Sequence, residues 1–234
     1  HDPLRRQRQM CIRDSIIYSK NGLLTTVAYQ VEGEKPKYAL EGSVSVAGAA
    51  VQWLRDNLNI ITESSEIESL ALSVKDNGDV YFVPAFSGLF SPHWDESARG
   101  VLVGITRYTN KSHIARAVLE SVAYQSYELI ESIEKDMDTT INKINVDGGM
   151  VENNLLMQFQ ADIFDKQVSS QSINEVTALG VAAASFMHEL SLPLNEMDNF
   201  IIKSKSWNPN MNSKDRDKYL KKWNKAINKS KKWT

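Results

Sequence analysis

The sequence predicts an α/β fold with a mixed sheet flanked by helices, on three observations. Short β-branched and aromatic runs cluster early, at residues 23–31 and 38–40. Beyond residue 80, strand-like runs alternate with apolar stripes at helical spacing. A strand-like stretch holding Ile144 and Val146 then meets an amphipathic helix carrying Leu156, Phe159 and Ile163, and the join passes through the adjacent Gly148 and Gly149.

The elements follow in order. The two early runs, separated by Gly33 and Pro36, read as antiparallel strands. Ser45 is the expected N-cap of a helix whose apolar stripe is Val51, Leu54, Leu58 and Ile61, with Gly48 and Gln52 one turn apart on one edge. A turn at Asn77 and Gly78 leads into a strand over 80–83, a long loop over 87–100 and a strand over 101–105. Thr109 is the expected cap of a long helix with Ile114, Val118, Val122, Leu129 and Ile133 on one side. A strand over 141–146, the double-glycine junction and a helix to about residue 165 come next. The last expected elements are a strand over 167–171, an Ala-rich helix over 176–190 and a basic amphipathic helix bearing Tyr219, Trp223 and Ile227.

Composition narrows the function. The 234 residues, 42% of them hydrophobic, suit one large or one and a half ordinary domains. The single cysteine, Cys11, leaves no disulfide framework and no cysteine metal site, which points to a reducing, cytoplasmic setting. No apolar run approaches the ~18 residues of a membrane span. The net charge of -2 conceals a segregation, since eleven Lys and Arg face two Asp from Lys203 onward. The regular aromatic spacing between those lysines reads as a docked helix with one solvated face, so no nucleic-acid partner is expected.

The double-glycine junction has the form of a phosphate site: glycine gives close access, and a helix N-terminus offers unpaired N–H groups and a partial positive charge. Asp147 belongs either near a metal–phosphate complex or to the turn itself, and the turn reading is favoured, so no metal ligand is assigned. His113 is read as a capping or packing residue at the start of the long helix.

Upstream stands Pro84-Ala85-Phe86-Ser87-Gly88-Leu89-Phe90-Ser91-Pro92-His93-Trp94-Asp95-Glu96-Ser97-Ala98-Arg99-Gly100, followed by Gly100-x-Leu102-x-Gly104-Ile105 and, after a gap, His113-Ile114-x-x-Ala117-Val118-Leu119-Glu120. This text resembles the second signature of the FGGY carbohydrate kinases. The segments Tyr38-Ala39-Leu40-Glu41-Gly42-Ser43, Ala47-Gly48-Ala49-Ala50-Val51-Gln52-Trp53-Leu54 and Leu156-Met157-Gln158-Phe159-Gln160-Ala161-Asp162 resemble that family's glycerol-phosphorylating branch. His93 departs from that branch, which usually carries Tyr before the Trp.

The resemblance implies the C-terminal half of the actin-like ATPase (ribonuclease H-like) fold. It implies ATP with Mg2+ as cofactor, nucleotide contacts at Gly48, Gln52, Gly149 and Asn153, and a homo-oligomer. Glycerol and the catalytic base would belong to an N-terminal domain without counterpart here, so no catalytic residue is assigned and the piece alone is expected to be inactive. Residues 15–192 are read as the nucleotide-side domain and 193–234 as an extension. Residues 1–14 resemble nothing in the family and are set apart as a leader or junction artefact. A kinase for another sugar or polyol, and a non-catalytic nucleotide-binding or assembly module, stay open as alternatives.

Overall fold

The computed structural model describes residues 7–44, 46–171, 176–190 and 203–234. It separates into two compact units, residues 1–141 with 211–234, and residues 142–210. This division differs from the expected one, because the C-terminal helix packs with the first unit while the segment before it belongs to the second.

In the first unit, strands β1 (Gln7–Arg13), β2 (Leu24–Tyr29) and β3 (Lys37–Val44) form an antiparallel sheet in the order β1-β3-β2. Strand β1 falls within the stretch set apart above, yet pairs with β3 over its whole length, with Cys11 opposite Leu40. Strand pairing runs through main-chain groups that every sequence carries, and an open edge of β3 accepts an extended neighbour. Leu23, Leu40, Val44, Leu129 and Ile133 make a buried cluster beneath the sheet. Gly42 on β3 has to be small there, since a Cβ would lie 2.5 Å from Leu129 Cδ2.

Leu129 and Ile133 belong to α3 (Lys111–Met137), whose 27 residues are buried on most sides. Its cap is Asn110, one residue later than expected. The Asn110 side chain accepts from the Ser112 and His113 N–H groups, and His113 Nδ1 accepts the Asn110 N–H at 3.2 Å. Thr109 instead takes the Thr106 N–H on its hydroxyl. His113 is therefore the capping and packing residue expected, 1% exposed, with its ring 4.9 Å from that of Tyr108.

Helix α1 (Gly48–Asp56) buries Ala50, Val51 and Leu54. The expected cap, Ser45, lies outside the described residues. The helix stops before Leu58, because the Asn57 and Leu58 N–H groups both turn back to the Trp53 carbonyl. Leu58 is consequently exposed, and Ile61 is buried from a loop. Helix α2 (Glu66–Leu72) follows, then the hairpin of β4 (Tyr81–Val83) and β5 (Val101–Val103). Helix α6 (Ser213–Ser230) closes the unit by burying Trp223, Ala226 and Ile227.

The second unit contains β6 (Lys143–Val146), α4 (Asn154–Phe164), β7 (Gln167–Gln171), α5 (Val176–Leu190) and β8 (Lys203–Trp207). Strands β6 and β7 are parallel, as a helical crossover requires, and β8 adds antiparallel to β7 to make the sheet mixed. Strand β8 was not expected from its Lys-Ser alternation. Helix α4 buries Leu156, Met157, Phe159, Ala161, Ile163 and Phe164. No helix among the described residues is long and apolar enough to cross a membrane.

Candidate functional site

Gly48 and Gln52 lie in the first unit, on α1. Gly48 is the first residue of the helix. Ala47, at its N-cap, has no side chain able to accept an orphan N–H, and no acidic residue occupies the first turn. This end keeps its partial positive charge and free donors. Stacking of Trp53 on Phe82, with ring centroids 5.4 Å apart and planes within 3°, sets the rotation of the helix. Gln52 consequently faces outward, exposed, one turn beyond Gly48. The rival reading of Gly48, close packing among its alanine neighbours, finds only Ala50 fully buried, while Ala47, Gly48 and Ala49 remain partly open.

Gly149 and Asn153 lie in the second unit, after β6. Gly148 has φ 87° and ψ 174°, a conformation essentially confined to glycine. Gly149 opens a 3-10 turn (Gly149–Glu152) with ordinary backbone geometry, and a Cβ there would meet nothing within 4 Å. The tight turn thus accounts for Gly148 and leaves Gly149 unexplained by the fold. Gly149 is exposed, at the start of a turn that runs directly into α4, so its open face gives an anion access to backbone N–H groups.

Asn153 is the N-cap of α4, its side-chain oxygen accepting the Leu156 N–H at 2.8 Å. Its amide NH2 makes no hydrogen bond among the described residues and is left as a donor. The two tasks separate by mutation. Asn153→Ala should lower stability by about 1 kcal/mol through loss of the cap. Asn153→Asp should keep the melting temperature, since a carboxylate caps equally well, while removing the donor and weakening nucleotide binding in calorimetry. An Asp variant that binds ATP as the parent does would limit Asn153 to capping.

Asp147 is exposed, and its carboxylate makes no hydrogen bond within the turn. The expectation that it shapes the turn is corrected: the left-handed glycine does so. In the long loop, Trp94 Nε1 donates to the Gly22 carbonyl at 2.7 Å, and the Arg99 guanidinium donates to the Glu96 and Ala98 carbonyls. Both are structural. His93 Nε2 pairs with Glu128 at 2.9 Å. Sequence reading missed a buried network in which Arg116 Nε (3.0 Å) and Asn77 Nδ2 (2.8 Å) both donate to the Glu120 carboxylate. The four-residue spacing of Arg116 and Glu120 was the available signal. Among the described residues no group of three His, Cys, Asp or Glu side chains converges as a metal cage.

The model of the FGGY family of carbohydrate kinases, C-terminal domain, matches residues 10–189. The glycerol kinase of Methylobacterium radiotolerans is 49% identical over 92% of this chain and 43% of its own length. That of Brucella anthropi is 50% identical over 94% and 44%. A Plasmodium falciparum glycerol kinase solved with ADP superposes with a TM-score of 0.88 at 34% identity, covering 96% of this chain and 45% of that one. The xylulose kinase of Lactobacillus acidophilus superposes at 0.78 with 24% identity, a likeness of fold alone. The chain spans less than half the length of these relatives, and its architecture is the C-terminal half of their actin-like ATPase fold. A match across most of the residues, with the double-glycine junction and the long capped helix both inside it, makes this chain a member of the FGGY family of carbohydrate kinases.

Proposed function

We propose that this chain is the nucleotide-side part of an ATP-dependent glycerol kinase, which moves the γ-phosphoryl group of ATP to a terminal hydroxyl of glycerol. The observation that carries the reading is Gly149, an exposed glycine that neither backbone strain nor packing demands, at the entrance of a helix. Its role is to let the nucleotide phosphates reach backbone donors, while the Asn153 amide donates nearby. Gly48 and Gln52 offer the same pairing of open backbone and side-chain amide in the first unit. Magnesium, which supplies charge neutralisation to the phosphates when bound, would be held chiefly by phosphate oxygens and water. The base that takes the glycerol proton and the glycerol contacts belong to the half of the relatives that has no match here. Positioning from both halves is needed for transfer, so the 234 residues alone bind ATP without turning it over. The named relatives support glycerol as acceptor. A cytoplasmic homo-oligomer is proposed with it.

The test joins this chain to the first half of the Methylobacterium radiotolerans enzyme and follows ADP release with and without glycerol. Glycerol-dependent turnover is expected. A folded hybrid that binds ATP without glycerol-dependent turnover would show that this chain does not complete a glycerol kinase. A folded hybrid that binds no ATP would overturn the reading in favour of a non-catalytic module.

A further inference from the structure

The Gly149 turn carries the wrong charge for a polyphosphate. Asp147 just before it and Glu152 at its end are both exposed carboxylates. Residues three apart in a 3-10 turn eclipse one another and each step rises about 2 Å, so Glu152 stands on the same face as Gly149, about 6 Å further along the axis. An anion that approaches the open side of Gly149 therefore meets the Glu152 carboxylate. The N-terminus of the helix that follows offers the equivalent of roughly half a positive charge, less than one carboxylate takes away.

A cation stands where this balance needs one. Lys205 Nζ, from β8, lies 3.7 Å from Glu152 Oε2. The pairing of β7 and β8 shifts at this point: Ser169 faces Ser206 and Gln171 faces Lys203, so three steps along β8 match two along β7. The extra residue falls between Lys203 and Ser206, in the stretch that holds Lys205. A bulge of this kind bends its strand and re-aims a side chain, often beside a functional site. The stability of the fold does not ask for the lysine, because the ion pair is long and its side chains are 48% and 63% exposed. Nor does the pair close the turn. A Cβ on Gly149 would still meet nothing within 4 Å, which leaves space for a phosphate beside the glycine.

We propose that Lys205 is a further nucleotide-binding residue, whose ammonium group takes a phosphate oxygen of the nucleoside polyphosphate held at the Gly149 turn. Without nucleotide the ammonium rests on Glu152; with it, a phosphate oxygen becomes its partner and the charge of the turn is offset. The assignment rests on the nucleotide role proposed for Gly149.

Calorimetric titration of ATP into this chain and its variants tests the assignment. Lys205→Met should weaken ATP binding at least about tenfold, the equivalent of one charge-assisted hydrogen bond, at an unchanged melting temperature. Lys205→Arg should keep most of the affinity, since the charge and a donor remain. Glu152→Gln should bind ATP more tightly than the parent, and adding Lys205→Met to it should again cost about tenfold. Equal affinity in Lys205→Met and the parent overturns the assignment. So does a double variant that matches Glu152→Gln, because the lysine would then only screen the carboxylate. A parent chain that itself binds no ATP overturns the nucleotide role of Gly149, and this assignment falls with it.

Discussion

Gly149→Val is expected to lower ATP affinity at least about tenfold, or about 1.4 kcal/mol, while leaving the melting temperature of the chain unchanged. The backbone at Gly149 is not left-handed, and an added side chain meets open space, so the fold has no objection to valine. The objection comes from the nucleotide, whose phosphates would meet two methyl groups where they need backbone. Gly148→Ala makes the contrast. With φ 87° at that residue, alanine should cost about 1–3 kcal/mol of stability through backbone strain. Thermal denaturation and calorimetric titration on both variants separate fold from binding. Unchanged affinity in Gly149→Val would remove this residue from the nucleotide site.

Arg116→Met should be the most destabilising of the changes considered, by about 3 kcal/mol at pH 8, with a smaller loss at pH 5. Glu120 is 3% exposed, and Arg116 and Asn77 are its direct partners. Burial lifts its carboxyl to about 7, although the neighbouring guanidinium and amide pull it down. The folded protein therefore binds a proton there more readily than the unfolded chain, whose carboxyl titrates near 4.5. Glu120's contribution is fully present below that lower value and is lost as pH rises through about 7. Removing Arg116 raises the carboxyl further and carries the loss to higher pH, whereas Glu120→Gln removes this component of the slope. Melting temperatures from about pH 5 to 8 for the parent and both variants check the sign. Equal slopes in the parent and Glu120→Gln would show that Glu120 does not titrate in this range.

Periodicity made the helices and most strands legible because burial imposes it directly. Val118, Val122, Leu129 and Ile133 lie on α3 as their spacing requires, and the 167–171 strand and 176–190 helix fall where they were placed. End positions were less legible. Thr109 and Asn110 are both good caps in isolation, and what separates them is His113 three residues on, whose ring closes the reciprocal bond only with Asn110. Leu58 fits the stripe of α1, but the helix ends where two N–H groups share the Trp53 carbonyl, a main-chain event with no side-chain signature. Strand β8 reads Lys-Ser-Lys-Ser before Trp207, so no apolar alternation announces it. At the candidate site the motif marked two glycines, and geometry was needed to tell which one the turn requires.

The path of the chain has a consequence for its synthesis. Trp223, buried at 1% and stacked on Tyr124, arrives on α6 with Ala226 and Ile227 to complete a core whose other members are made before residue 142. The described strands and crossover of the stretch 142–210 are in hand earlier. On a ribosome the later-made unit can finish first, while the earlier-made one waits for α6 to emerge. A nascent chain that stalls within the codons for α6 would therefore expose apolar surface of the earlier-made core, and the chaperone and protease burden of such stalls falls on residues translated long before.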